Sequence, residues 1–174
     1  MSMKKGFQHK WFAVTIVVCA LIIGIAVMNV GDKKAGIDGN KVDFRYPFFS
    51  VKLLMGKPDK EIKIAESDLT AYHYFDRTFF GQKGSITYDV HLFRVDRIIL
   101  EMSTSDEAAY TLFSTISQSI ESVYKDRAGY YCSPVVQKED GKLIQNIGVN
   151  KGAGGISFTL SYLNGELRLD GAYQ

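Results

Sequence analysis

From residue 71 onward the chain switches between two hydrophobic periods. Ile86, Tyr88, Val90 and Leu92 alternate with Thr87, Asp89 and His91, the period of two that gives an extended strand one apolar and one polar face. Ile98, Leu100 and Met102 continue it after a turn expected at residues 94–96, and the aromatic-rich residues 71–75 read as a further strand. The period then changes. Ala109, Leu112, Ile116, Ile120 and Val123 recur every three or four positions, so residues 105–128 are expected to form an amphipathic helix lying on a sheet. Thr104, with Glu107 three positions on, has the form of a capping box, and Gly129 stands where a C-terminal cap belongs. Residues 48–55, stopped by Gly56 and Pro58, read as a helix of two turns, and residues 130–136 and 143–149 as strands. A hairpin closes the chain: Ile156, Phe158, Leu160 and Tyr162 alternate with serines and Thr159, Asn164-Gly165 is a type I′ turn signal, and Leu167 and Leu169 return on the core face. The expected fold class is α+β, antiparallel strands packed on one long and one short helix.

A faint internal likeness runs through this pattern. GQKGSITYDVHLFRVDRIIL (residues 81–100) and GAGGISFTLSYLNGELRL (residues 152–169) share glycines, an I-[TS]-[YF]-x-[VL] strand, a turn and an apolar return strand. Two readings stand. Either a helix-plus-meander unit is repeated, or two hairpins resemble each other because alternation and turns are common to all hairpins.

The first thirty positions follow neither period. Residues 11–30, WFAVTIVVCALIIGIAVMNV, carry no charge, and only Thr15 and Asn29 are polar. At 1.5 Å per residue, a run of this length spans ~30 Å, the thickness of a bilayer's hydrocarbon core. A buried core helix would show a polar stripe. This segment has none and is read as a transmembrane helix. It exceeds the ~7–15 residues of a signal-peptide core and no A-x-A-like site follows it, which makes it an uncleaved signal anchor. Bulky Val17 and Val18 before Cys19 exclude a lipoprotein site. Lys4, Lys5 and Lys10 lead the span, whereas Lys33 and Lys34 follow beside Asp32, so the positive-inside bias favours a cytoplasmic N-terminus. Ala20 and Gly24 form a small-xxx-small pair, frequent in membrane helices with or without pairing. The expected organisation is a cytoplasmic tail (1–10), a signal anchor in the inner membrane (11–30), a polar glycine-bearing linker (31–40) and one periplasmic or extracellular domain (41–174).

Charge sharpens this division. Five of the 21 basic residues (Lys4, Lys5, Lys10, Lys33, Lys34) but one of the 19 acids, Asp32, fall in the first 34 positions. The remainder is therefore slightly acidic, without a Lys/Arg stripe, and nucleic-acid binding, which rests on neutralising phosphates, is excluded.

Chemistry-bearing motifs are scarce. The histidines are His9, beside the anchor, His73, among Tyr72, Tyr74 and Phe75, and His91. His91 shares the polar face of its strand with Asp89, the one pair that resembles a carboxylate-oriented base. A solvated pair on a half-buried sheet explains it as well. Two histidines and one cysteine in the domain do not make a metal site, and no HExxH, CxxC or EF-hand loop occurs. Gly152-Ala153-Gly154-Gly155 lacks the G-K-[ST] ending of a phosphate loop and precedes a strand, so it reads as a turn. No serine lies in G-x-S-x-G. The expectation is a domain without catalytic, cofactor-binding or metal-binding residues, in which Cys132 is unpaired with Cys19 and is either buried, the usual case, or available to pair with another chain.

What remains is an aromatic excess, with 10 tyrosines and 11 phenylalanines. Tyr46, Phe48, Phe49, Tyr72, Tyr74, Phe79 and Phe80 gather in the first half, and Tyr110, Tyr124, Tyr130, Tyr131 and Tyr173 in the second. They furnish either an aromatic core or an exposed binding surface. The layout resembles that of bacterial bitopic proteins that attend a larger membrane partner. It implies a non-catalytic accessory module that docks on, stabilises or regulates a membrane or envelope protein. A domain sensing a small apolar ligand, alone or with a partner, is the alternative, and an envelope enzyme using Asp89 and His91 the more distant one.

Overall fold

In the computed structural model, the strand alternation becomes a nine-stranded antiparallel sheet with the two helices of the described residues on one face. The structure describes residues 36–38, 41–43, 48–65, 67–152 and 154–173. The tail, the span 11–30, His9 and Tyr46 lie outside them, and among the described residues no helix is long and apolar enough to cross a membrane.

In chain order the elements are β1 (Gly36–Asp38), β2 (Lys41–Asp43), α1 (Phe48–Met55), β3 (Lys60–Lys63), β4 (Leu69–Phe79), β5 (Gln82–His91), β6 (Arg94–Ser103), α2 (Asp106–Tyr124), β7 (Tyr130–Cys132), β8 (Val136–Gln137), β9 (Leu143–Asn150), β10 (Gly155–Leu163) and β11 (Glu166–Tyr173). The main sheet runs β3-β4-β5-β6-β11-β10-β9-β7, with β8 also paired to β9, while β1 and β2 pair with each other. The β1 strand falls within the segment read as linker. Each of the two meanders, β4-β5-β6 and β9-β10-β11, follows a helix in sequence, and they meet at the β6–β11 pair.

Register explains which residues are buried. Tyr74, Ile86, Leu100, Leu169 and Leu160 stand side by side across five strands, and all five are buried. Helix α2 lays Ala109, Leu112, Phe113, Ile116, Ile120 and Tyr124 on this face, as its periodicity requires. The aromatic residues are largely core: Phe48, Tyr74, Phe79, Phe80, Tyr88, Phe113, Tyr124, Phe158 and Tyr162 are buried. Three of the sheet tyrosines also tie the helices down. The Tyr88 hydroxyl lies 3.6 Å from Met55 Sδ, that of Tyr74 donates to the Gly56 carbonyl at 3.4 Å, and that of Tyr162 donates to Asp106. A phenylalanine core would lack these links between sheet and helix ends. Burial, with Glu61 nearby, pushes the Tyr74 phenol up to about 12, so the donor stays protonated.

Local corrections have physical causes. The N-cap of α2 is Ser105, whose Oγ accepts from the Ala108 N–H at 3.3 Å, because the Thr104 N–H already donates to the Gly165 carbonyl. The helix stops at Tyr124 rather than at 128, and Arg127 and Gly129 then turn the chain into the sheet. Pro134, without an N–H, divides the strand expected over 130–136 into β7 and β8. Cys132 is exposed, since β7 is an edge strand. The turn placed at residues 94–96 is instead Leu92–Phe93, and Arg94 already belongs to β6.

Candidate functional site

The face of the sheet opposite the helices is open, and its polar side chains form ordered rows. Asp89 stands opposite Arg97, Ser85 opposite Glu101, and Glu101 opposite Arg168. Arg97 Nε donates to Asp170 Oδ1 at 2.8 Å, and Arg168 donates to Glu101 at 2.6 Å while reaching Asp170 at 3.5 Å. A chain of alternating charge therefore runs Glu101–Arg168–Asp170–Arg97 between residues about 70 positions apart in sequence. The hydrogen bonds from Arg97, with Arg168 beside it, hold the Asp170 carboxyl below its ordinary range. Asp89 moves the other way, raised by burial against the opposing pull of Arg97 and His73.

These shifts have opposite consequences for stability. The lowered Asp170 stabilises the fold above its unfolded-state pKa, and that contribution is lost as pH falls through its folded value. The raised Asp89 destabilises the fold while ionised, and protonation relieves this as pH falls. Asp170→Asn is expected to cost about 0.5–1 kcal/mol at pH 7, a modest figure because Arg97 is half-exposed and screened. Urea unfolding followed from pH 7 down to pH 3 should also show a flatter acid dependence in the variant. An unchanged acid dependence would mean that the pair contributes nothing.

The pair Asp89 and His91 shares this face, as their alternation requires, but the structure gives the two residues different partners. His91 Nε2 lies 3.9 Å from Asp68 Oδ2, beyond hydrogen-bond reach, whereas Asp89 faces Arg97 and His73. His73 Nδ1 meets Thr87 Oγ1 at 2.9 Å, and its Nε2 is buried with no hydrogen-bond partner among the described residues. A ring nitrogen closed to solvent cannot take a proton from an external substrate. Among the described residues, no three of His, Cys, Asp and Glu gather where a metal ion would fit.

A wide concavity lies elsewhere on the open face. Strand β4 carries a bulge between Tyr74 and Arg77, with Asp76 at φ 52°, and this bends the strand over the sheet. Asp59 pins the bulge: its carboxylate accepts from the Phe75 N–H at 2.7 Å and pairs with Arg77 at 3.2 Å. Phe75 lies on the open face, 44% exposed and stacked on His73 at 6.1 Å. It walls an open groove of about 880 Å³ whose floor includes Lys83, Ser85, Glu101, Glu166 and Arg168. One aromatic ring over a floor of both charges suits a protein surface better than an apolar small molecule. Alternation with buried Tyr74 puts Phe75 on the open face beside His73; the inserted residue after it inverts the faces only from Arg77 onward. Of the other aromatic candidates, Tyr110, Tyr131 and Tyr173 are exposed, separately placed on α2, β7 and β11.

No family model, curated protein or solved structure matches the chain.

Proposed function

We propose that this protein is a non-catalytic binding module anchored in the inner membrane by residues 11–30, whose extracytoplasmic domain docks on and stabilises or regulates a membrane or envelope protein. The observation that carries the reading is the groove beside Phe75: open, walled by an aromatic ring, floored by charges, and built by a bulge that a pinned carboxylate maintains. Such a surface draws its affinity from desolvating a ring within a polar rim. The space between helices and sheet, where an apolar ligand would be enclosed, is occupied by Tyr74, Tyr88, Phe113 and Phe158. We also read the domain as two helix-plus-meander units joined at β6–β11, a reading supported by the sheet order and the shared I-[TS]-[YF]-x-[VL] strands.

The test uses the full chain in its own membrane. A photo-crosslinking residue in place of Phe75 is expected to give a discrete adduct with a membrane or envelope protein, and the same probe in place of Tyr110 none. Phe75→Ala is expected to weaken co-purification of that protein tenfold or more, since hot-spot truncations cost about 2 kcal/mol. His91→Ala and Asp89→Asn should leave it unchanged. If the folded His91 variant is inactive while Phe75→Ala behaves normally, the enzyme reading replaces this one.

A further inference from the structure

The groove leaves a second anomaly unexplained, at the opposite end of the sheet. The β5–β6 hairpin closes through Leu92 and Phe93 alone, and these are 74% and 76% exposed. Leu92 sits at φ 57°, a left-handed conformation that L side chains avoid. The corresponding β10–β11 turn uses Asn164 and Gly165, residues that tolerate positive φ. The Leu92–Phe93 tip therefore breaks the turn rule and the burial rule together, and burial within the domain recovers neither loss. Adjacent apolar side chains on a projecting tip suit the boundary between headgroups and acyl chains.

Two further observations bear on what covers this end. The Phe93 carbonyl accepts from the Phe48 N–H at 2.9 Å, which holds the tip against the start of α1. Close by, a pocket of about 180 Å³ is lined by Arg127, Lys151, Tyr173 and the backbone of Gly154 and Gly155. Arg94, the residue after the tip, stands over the Tyr173 ring at 5.5 Å and connects tip and pocket. Among the described residues neither Arg127 nor Lys151 forms an ion pair. A concavity of that size with a lysine, a phenol and an arginine that is held over the Tyr124 ring at 5.4 Å but makes no ion pair among the described residues matches a lipid phosphate.

We propose that this end of the domain docks on an anionic bilayer surface, with Leu92 and Phe93 inserted at the headgroup boundary and Arg127 and Lys151 holding a phospholipid phosphate. The proposal rests on the membrane-anchored reading but not on the Phe75 groove. The test reconstitutes the full chain, with Trp11→Phe to remove the natural fluorophore, into vesicles of phosphatidylcholine and phosphatidylglycerol with brominated acyl chains. Tryptophan emission from Phe93→Trp is expected to be quenched several-fold more than emission from Tyr110→Trp, which lies on α2. Arg127→Ala with Lys151→Ala should cut that quenching by half or more. Equal quenching at both positions overturns the proposal. So does a blue-shifted but unquenched Phe93→Trp probe, which would report a protein seat at the tip. Alkaline carbonate separates the two readings: release of the wild-type chain overturns the anchor and this proposal together, whereas retention with an unquenched probe overturns this proposal alone.

Discussion

Replacing Gly129 by alanine is expected to destabilise the domain by about 3 kcal/mol or more, although a single methyl group is added. Gly129 lies at φ 83°, where a residue with a Cβ pays about 1–2 kcal/mol for the left-handed conformation. The larger part is steric. A Cβ at this position would stand 2.0 Å from the Asn150 carbonyl oxygen, which is backbone and cannot rotate away. The Gly129 carbonyl in turn accepts from the Asn150 N–H at 2.9 Å, so any shift that makes room loosens the junction between α2, β7 and β9. Urea unfolding measures the loss. A change below about 1 kcal/mol would show that this junction is pliable.

Ile116→Ala is expected to cost about 2–5 kcal/mol, from lost transfer energy and from the cavity left behind. Ile116 is fully buried midway along the inward face of α2, between Leu112 and Ile120, within a core of interlocked rings that cannot collapse into the space. The measurement is again urea unfolding, with the slope checked for constancy so that a midpoint shift reports stability. A loss under ~1 kcal/mol would mean that this helix face is an interaction surface and not core.

Much of this fold was legible in the sequence, and the failures share a cause. The α2 helix, the two hairpins and the two-turn α1 follow from side-chain periods and from local stop signals such as Gly56. Sheet order did not follow, because β6 meets β11 across a separation of about 70 residues and nothing local records that pairing. Turn and cap positions slipped where tertiary bonds overrode local chemistry. Thr104 is held by Gly165, so the cap passes to Ser105, and a Leu-Phe turn carries no turn-forming residue to mark it. The candidate site was the least legible. Asp89 was placed on the correct face with the wrong partner, since its neighbours His73 and Arg97 come from adjacent strands. Phe75 shares the open face with His73 by plain alternation, but nothing in a period-two count marks the bulge that follows it and inverts the faces from Arg77. The aromatic excess was visible from composition, but its division between a tyrosine-tied core and a few exposed rings depends on register.

The position of β11 governs how this chain can be made. Strand β11, later in the chain than both its neighbours, lies in the middle of the sheet with β6 on one side and β10 on the other. Until residues 166–173 are available, β6 and β10 both present bare edges, and Leu100 and Leu160 lack the cross-strand neighbour Leu169. An incomplete chain is therefore two half-sheets with adhesive margins and not a smaller version of the domain. Folding waits on a contact that is distant in sequence, which makes it slow for a domain of this size. Deletion of residues 166–173 would send the protein toward aggregation or proteolysis, where loss of an outer strand such as β3 would only trim an edge.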